Sequence, residues 1–214
     1  PCTDENLRYV NLMGLVVSTF VTVGLNSWLV QLLLWMLYFS IVTIANGTSF
    51  YSYGWESQIL ETGFLCIFLC EIKRQKKNGG LRLALWDDRP SRPTAIILWL
   101  FQWLMFRIST GAGLIKVRGS SCWTEKTCLY YHFETQPIPS PLSFLYHFLP
   151  HSVHRRMVDT DLLVQLYSAW FVLFPACTAA WLPKSLDRVV RFIVRFGGFL
   201  QAGFMVGILL SGNF

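Results

Sequence analysis

Residues 9–55, YVNLMGLVVSTFVTVGLNSWLVQLLLWMLYFSIVTIANGTSFYSYGW, decide the fold. These 47 consecutive residues include no Asp, Glu, Lys, Arg or His. A membrane-spanning helix needs about 20 apolar residues, whereas a single helix of this length would measure roughly 70 Å. We therefore expect two spans, near 9–24 and 28–46, separated by a turn at Gly24-Leu25-Asn26-Ser27.

The composition of the whole chain agrees with a membrane protein. The 214 residues are 53% hydrophobic, 16% aromatic and only 14% charged, against about 25% charged in a soluble domain. These values exclude a disordered, collagen-like or coiled-coil chain and predict an all-α, polytopic transmembrane helix bundle with a long lumenal loop. Because the sequence starts at Pro1 and stops inside an apolar run at Phe214, we expect a fragment of a longer protein.

Apolar stretches farther along the chain predict the remaining spans. Residues 1–70 are expected to hold the two spans above and a short third apolar segment at 57–70, which Glu61 interrupts and whose crossing the sequence leaves open. Three more stretches, 94–115, 162–183 and 196–214, are long enough to cross a hydrocarbon core about 30 Å thick. The prediction is therefore five spans and one undecided segment.

Lysine and arginine are distributed unevenly among the connecting loops. Seven lie in 71–93 and four in 184–195, whereas 116–161 has only five over 46 residues. Since cytoplasmic loops of membrane proteins are enriched in these residues, the first two loops are predicted to be cytosolic and 116–161 to be lumenal. The net charge of +6 is then explained by topology, and no nucleic-acid partner is predicted.

The loop 116–161 contains the only closely spaced cysteine pair outside the apolar segments. Cys122 and Cys128 flank Trp123, and in an oxidising compartment two such cysteines form a disulfide if their Cα atoms are close enough. The alternative is a reduced pair in a partly buried loop. The sequence does not choose between them.

Four ionisable residues lie within or at the edge of apolar segments, namely Glu56, Glu61, Arg107 and Lys116. An intramembrane charge is costly and usually pairs with another charge or lines a polar cavity. We expect an intramembrane ion pair that joins a carboxylate of 56–61 to Arg107 or Lys116. The alternative is an acid that handles protons or binds a substrate.

Three histidines, His147, His151 and His154, have spacings that a metal site could use. Pro150 lies among them and argues against one continuous helical face, and no thiolate or carboxylate accompanies them at ligand spacing. We interpret them as part of a solvated loop. No metal, cofactor or catalytic residue is predicted.

Three strings carry information beyond composition: GWESQILETGFL at 54–65, FRISTGAGLIKVRG at 106–119 and CWTEKTCLYYHFETQPIPSPLSF at 122–144. In this order and spacing they strongly resemble the lipase maturation factor family. The resemblance covers the chain from about residue 10 to its end. It implies a multi-pass endoplasmic-reticulum membrane protein, a chaperone that assists folding, dimer assembly and export of secreted homodimeric lipases without catalysing a reaction. It also implies a lumenal carboxy-terminal domain beyond the spans.

The aromatic string in the loop suggests where such clients would bind, since interfaces favour aromatic side chains. The predicted client-contact residues are Trp123, Tyr130, Tyr131, His132, Phe133 and Glu134. These aromatics could equally lie at the membrane interface beside membrane lipid. The first alternative function is an intramembrane transferase or carboxylase-like enzyme with Glu56, Glu61, Arg107, His132 and Glu134 around one cavity, and the second is a transporter.

Overall fold

A computed structural model describes residues 3–24, 27–45, 54–70, 76–77, 80–81, 93–136, 139–178 and 183–211. The described elements are almost entirely helical. The helices that precede the predicted loop are α1 (Asp4–Thr22), α2 (Trp28–Ala45), α3 (Gly54–Ile67) and α4 (Ala95–Gly119). Between α3 and α4, two antiparallel strands of two residues each, β1 (Lys76–Lys77) and β2 (Gly80–Leu81), form a small ladder.

After α4 the described part of the chain forms three short helices and then three longer ones. The short ones are α5 (Ser121–Thr124), α6 (Leu129–His132) and α7 (Ser143–His147). Helix α8 (His151–Leu163) continues through a π-helical turn, Val164–Ser168, into α9 (Ala169–Thr178). A 3₁₀ turn, Lys184–Leu186, leads into α10 (Asp187–Ser211).

Two of the described helices are long and apolar enough to cross a membrane, α4 and α10. Each has 25 residues, or roughly 37 Å of helix, which exceeds a hydrocarbon core of about 30 Å. Large apolar side chains stand exposed on α10, for example Phe192 at 68% and Phe199 at 78%. Such a surface is suited to lipid rather than water, and the protein is an all-helical transmembrane protein.

The helix limits differ from the predicted span limits. Helix α10 begins at Asp187, inside the basic segment 184–195 that was predicted as a loop, and α4 extends to Gly119. A helix can continue past the bilayer edge because its backbone hydrogen bonds are internal, so helix limits do not mark membrane limits. The five-span arrangement stays a prediction.

The chain divides into two compact units, residues 1–101 and 102–214. In the first unit α2 packs against α1 and α3. Trp35 of α2 donates its ring N–H to the Leu60 carbonyl of α3 at 2.8 Å and stacks on Phe39 with ring centroids 5.1 Å apart. A buried indole usually finds such a partner for its polar end, and this one joins two helices.

In the second unit, a buried polar network joins α4, the π-helical turn and α10. Ser109 donates to Gln201 Oε1 at 3.0 Å, and Gln201 Nε2 donates to Ser168 Oγ at 2.8 Å. The same amide nitrogen lies 3.3 Å from the Val164 carbonyl. All three side chains are at most 5% exposed. Polar side chains bonded across apolar helices fix which faces meet, and a π turn exposes backbone groups that such side chains can bind.

Candidate functional site

Residues 120–136 and 139–163 form a structured region of three short helices, α5 to α7, and the longer α8. We call it the loop region. Its core is a cluster of Leu129, Phe133 and Val158, each at most 8% exposed. Partly buried side chains that pack on this cluster are Trp123, Tyr146, Met157 and Leu162. The loop region therefore has its own hydrophobic core, which the sequence did not predict.

Cys122 and Cys128 are bonded to each other in the structure, with their Cα atoms 4.8 Å apart. This separation lies in the range that a disulfide needs. The backbone closes the same turn, since the amides of Thr127 and Cys128 both donate to the Cys122 carbonyl. Lys126 adopts a left-handed conformation with φ of 61°, which lets the chain reverse direction within the turn.

The loop region is attached to the end of α10 by two serine hydroxyls. Ser140 Oγ donates to the Leu210 carbonyl at 3.1 Å, and Ser143 Oγ lies 3.2 Å from the Ser211 carbonyl. These two contacts set the position of α7 beside the end of the described part of α10.

His154 is a core residue of the loop region, which corrects its interpretation as part of a solvated loop. It is 1% exposed, and its Nε2 lies 2.7 Å from the Tyr146 carbonyl. Its ring also packs on Tyr130 and Phe133. Pro150 immediately precedes α8, so the helix starts at His151 and directs His154 inward one turn later.

Lys116, at the end of α4, is paired with Asp161 of α8. Its Nζ lies 2.8 and 2.6 Å from the two carboxylate oxygens, and 4.5 Å from the centre of the Trp123 ring. Both charged side chains are partly buried, at 24% and 17% exposure. The sequence-based prediction joined a glutamate of 56–61 to either Arg107 or Lys116, and the structure shows Lys116 with Asp161 as a partner.

The other members of the predicted ion pair lie in different units, Glu56 and Glu61 in the first and Arg107 in the second. Glu56 is 4% exposed in the first turn of α3, where the helix dipole favours a carboxylate. Among the described residues its Oε2 has no hydrogen-bond partner. A pairing of either glutamate with Arg107 stays a prediction.

A cavity of about 640 Å³ lies between the loop region and α10, beside the Lys116–Asp161 pair. Its polar lining comes from Lys116, His132, Arg156, Thr160, Asp161 and Ser211. The apolar lining includes Trp123, Leu129, Phe133, Tyr146, Val153, Met157, Val164, Phe199, Leu200, Phe204 and Ile208, and Gly203 and Gly207 complete it. Ligand sites usually combine a mostly apolar wall with a few polar groups in this way.

His132 lines this cavity although it is exposed. Desolvation by the cavity walls lowers its pKa, the positive charge of Lys116 lowers it further, and the Asp161 carboxylate opposes both effects. The neutral ring therefore predominates near neutral pH. A neutral imidazole offers the cavity one hydrogen-bond donor and one acceptor.

The six predicted client-contact residues do not share one exposed surface. Phe133 is 4% exposed and belongs to the core, Trp123 faces the cavity, and Tyr130 accepts a hydrogen bond from Arg155 at 2.8 Å. Tyr131 is 64% exposed. His132 and Glu134 are exposed as well.

A set of exposed apolar residues on and beside α7 was not predicted from the sequence. Phe144, Leu145 and Phe148 are 69%, 62% and 68% exposed, and the two phenylalanine rings are in contact with centroids 4.7 Å apart. We refer to these three side chains and the exposed Tyr131 of α6 collectively as the apolar surface of the loop region. The sequence feature that could have indicated them is a run of mostly large apolar residues between Pro141 and Pro150, which is too short to span a membrane.

The roles of Asp161 and Gln201 were not predicted from the sequence either. A signal for Asp161 existed, because His154, Val158, Asp161, Gln165 and Ser168 recur at alternating intervals of four and three, which places them on one helical face. The predicted boundary between a loop ending at 161 and a span starting at 162 divided that face in two. Gln201 had no comparable signal in the sequence.

The described part of the chain contains no group of three or more His, Cys, Asp or Glu side chains that could hold a metal ion. The site is instead a small helical region attached to transmembrane-length helices, with an exposed apolar surface and an adjoining cavity. These features define an all-helical membrane protein with a structured loop region.

The family follows from comparison with known proteins. Residues 1–214 match the family described as "Lipase maturation factor transmembrane domain", and the chain belongs to this family. No solved structure matches the chain.

Relatives agree with this assignment. The chain is 40% identical to mouse "Lipase maturation factor 1" over 213 residues, which cover 97% of this chain and 32% of the relative. It is 41% identical to human "Lipase maturation factor 1" over 98% of this chain and 33% of the relative. With rat "Lipase maturation factor 2" it shares 34% identity over 99% of this chain and 28% of the relative. The chain thus spans about a third of the length of these relatives.

Proposed function

We propose that the protein containing this chain is a maturation factor for lipases, acting in the endoplasmic-reticulum membrane as a chaperone for secreted homodimeric lipases. The observation that carries the proposal is the match of the whole chain to the lipase maturation factor transmembrane domain. The relatives are named for lipase maturation, and the proposal assigns no catalytic step to the protein. The names of the relatives support neither an enzyme nor a transporter.

The physical task of such a factor is to cover surface that a client exposes before assembly. An unassembled subunit presents apolar surface and a free dimer interface, and both promote aggregation. The apolar surface of the loop region offers a complementary patch, with Tyr131, Phe144, Leu145 and Phe148 exposed above an ordered core. Exposed apolar patches of this kind mark interaction sites.

The proposed orientation places 116–161 in the lumen, where the clients fold, and 71–93 and 184–195 in the cytosol. The lysine and arginine distribution supports this orientation. The bonded pair of Cys122 and Cys128 supports it independently, because disulfides persist in the lumen and are rare in the cytosol.

The function is tested by expressing the full-length protein with a homodimeric lipase in cells that lack maturation factors. Secreted lipase activity is expected to rise while total lipase protein changes little. If secretion stays at the level of cells with no factor, the proposed function is wrong.

The contact surface is tested in the same cells with Tyr131→Ala and Phe148→Ala. Each is expected to lower secreted activity, because an exposed aromatic anchor contributes about 1–2 kcal/mol or more at an interface. Tyr167→Ala is the matched control, since Tyr167 is 63% exposed but lies on the π-helical turn. Equal losses for Tyr131 and Tyr167, at equal protein levels, would reject the surface while leaving the function intact.

A further inference from the structure

The cavity beside α10 has one predominantly apolar wall, and two glycines lie on that wall. Phe199, Leu200, Phe204 and Ile208 line it from α10. Gly203 and Gly207 lie between them, and a Cβ built at either position would meet no atom within 4 Å. The space in front of these two glycines is therefore open, and a large side chain at either position would project into it.

The facing wall supplies polar groups from α4, α6 and α8. Lys116 and Asp161 neutralise each other across 2.6 Å, so their charges are already matched. Arg156 also lines the cavity, and among the described residues no carboxylate or other side chain pairs with it. Thr160 and His132 add neutral hydrogen-bonding groups beside this guanidinium.

The dimensions and surroundings indicate what such a cavity accepts. From Phe199 to Ser211 its α10 wall extends over 13 residues, or roughly 18 Å of helix between the first and last Cα atoms. This length is a little more than one leaflet of a hydrocarbon core about 30 Å thick. Its volume of about 640 Å³ suits one medium-sized molecule. Phe199 is 78% exposed, so the cavity opens beside it on the lipid-facing side of α10.

We propose that this cavity binds one single-chain amphiphile with an anionic head group, its acyl chain along α10 and its head group on Arg156. The unpaired guanidinium selects for negative charge, since arginine binds carboxylates and phosphates through paired N–H donors. The glycine-lined wall leaves room for one chain. The head group is a carboxylate, as in a fatty acid, or a phosphate, as in a lysophospholipid. This binding is independent of the proposed role in lipase maturation.

The test uses the full-length protein in isolated membranes and three photoreactive probes with the same diazirine-bearing acyl chain. They are palmitic acid, palmitoyl lysophosphatidic acid and the uncharged alcohol. At least one anionic probe is expected to crosslink to peptides of α8 and α10 and to be displaced by an excess of its unlabelled form. The preference between carboxylate and phosphate identifies the source of the head group.

Substitutions connect the labelling to the cavity. Gly203→Leu and Gly207→Leu fill the space and are expected to abolish most labelling, whereas Gly198→Leu, on the same helix and also free of atoms within 4 Å of its Cβ position, should leave it unchanged. Arg156→Gln should weaken anionic-probe labelling about tenfold, the loss of one charge-assisted hydrogen bond. Arg155→Gln is its control, because Arg155 bonds Tyr130 instead of lining the cavity.

Several outcomes would overturn the proposal. One is that an excess of unlabelled ligand fails to displace the labelling of the unsubstituted protein. This outcome does not depend on whether any variant folds. Others are equal labelling of the glycine variants and their control, or equal labelling by the alcohol and both anionic probes. Lipase secretion is not part of the readout, so these results stand whether or not the proposed function holds.

Discussion

At the scale of single residues, the Lys116–Asp161 pair contributes most clearly to the stability of the loop region. The pair is partly buried and touches the Trp123 ring, so it joins the end of α4 to α8 and to α5. Removing one member of a buried pair leaves an uncompensated charge, which costs more than removing both. An exposed pair in the same region, Lys126 and Asp159 at 2.7 Å, provides an internal comparison.

Lys116→Met is expected to destabilise the protein by about 1–3 kcal/mol, between the values for exposed and fully buried pairs. Lys126→Met should cost about 0–1 kcal/mol, because both members of that pair are about half exposed. The measurement is the temperature of half-maximal aggregation of the full-length protein in detergent. The double variant Lys116→Met with Asp161→Asn should lose less than the sum of the single losses. Equal effects at Lys116 and Lys126 would contradict the structural role of the first pair.

His132 should make stability depend on pH. Its folded pKa is lowered by desolvation and by Lys116, partly offset by Asp161, whereas the unfolded value is about 6.5. The unfolded chain therefore binds more protons below that pH, so the stabilisation is present above about pH 6.5 and is lost as pH falls toward the folded pKa. The aggregation temperature should fall less between pH 7.5 and 5.5 in His132→Gln than in the unsubstituted protein. An identical pH response of the two proteins would be inconsistent with this assignment.

At the scale of elements, close helix contacts depend on two glycines. A Cβ at Gly197 of α10 would lie 2.8 Å from Phe171 Cβ and 3.3 Å from the Phe171 backbone carbon, and one at Gly113 of α4 would lie 2.8 Å from Leu166 Cδ2. Small residues let helix backbones approach closely in membrane proteins. Gly113 comes from the Gly111-Ala112-Gly113 string, but Gly111 has open space around it.

Gly197→Ala is expected to destabilise the packing of α9 against α10 by about 1–3 kcal/mol, because the methyl group overfills the contact and backbone atoms cannot move aside easily. Gly198→Ala, one residue along, meets nothing within 4 Å and should be neutral or stabilise the helix by up to about 1 kcal/mol. The measurement is the resistance of each of the two variants to detergent-induced aggregation. A stable Gly197→Ala protein would show that the two helices do not pack as described.

At the scale of the whole molecule, the two units each have their own interactions, Trp35 with Leu60 in the first and the Gln201 network in the second. The proposed orientation concerns the whole chain. It requires the basic segments to lie on one side of the membrane and the loop region on the other.

Cysteine substitution tests this orientation. A cysteine at position 79, within the basic segment 71–93, should react with a membrane-impermeant thiol reagent applied from the cytosol. Ser152→Cys, at an exposed position on α8, should react only after the lumenal side is opened, because the loop region is expected there. Labelling above the background of the unsubstituted protein is the measurement, and the reverse pattern would reject the orientation.

The sequence by itself determined the class of the protein and its family. Residues 9–55 cannot be accommodated outside a membrane or a large apolar core, because they contain no charge over 47 positions. The strings at 54–65, 106–119 and 122–144 were sufficient to indicate the family, which the match over the whole chain confirms. The class follows from a property summed along the chain and the family from short local strings, so neither required knowledge of tertiary contacts.

Only the tertiary structure decided which side chains meet. Lys116 pairs with a residue 45 positions away, Gln201 bonds a serine 92 positions away, and Phe133 and His154 are buried although the sequence around them resembles an exposed loop. The cavity likewise exists only because α10 passes beside α6 and α8. An apolar or aromatic residue has the same local pattern whether it faces lipid, a protein core or a cavity, and the packing of distant helices alone distinguishes these surroundings.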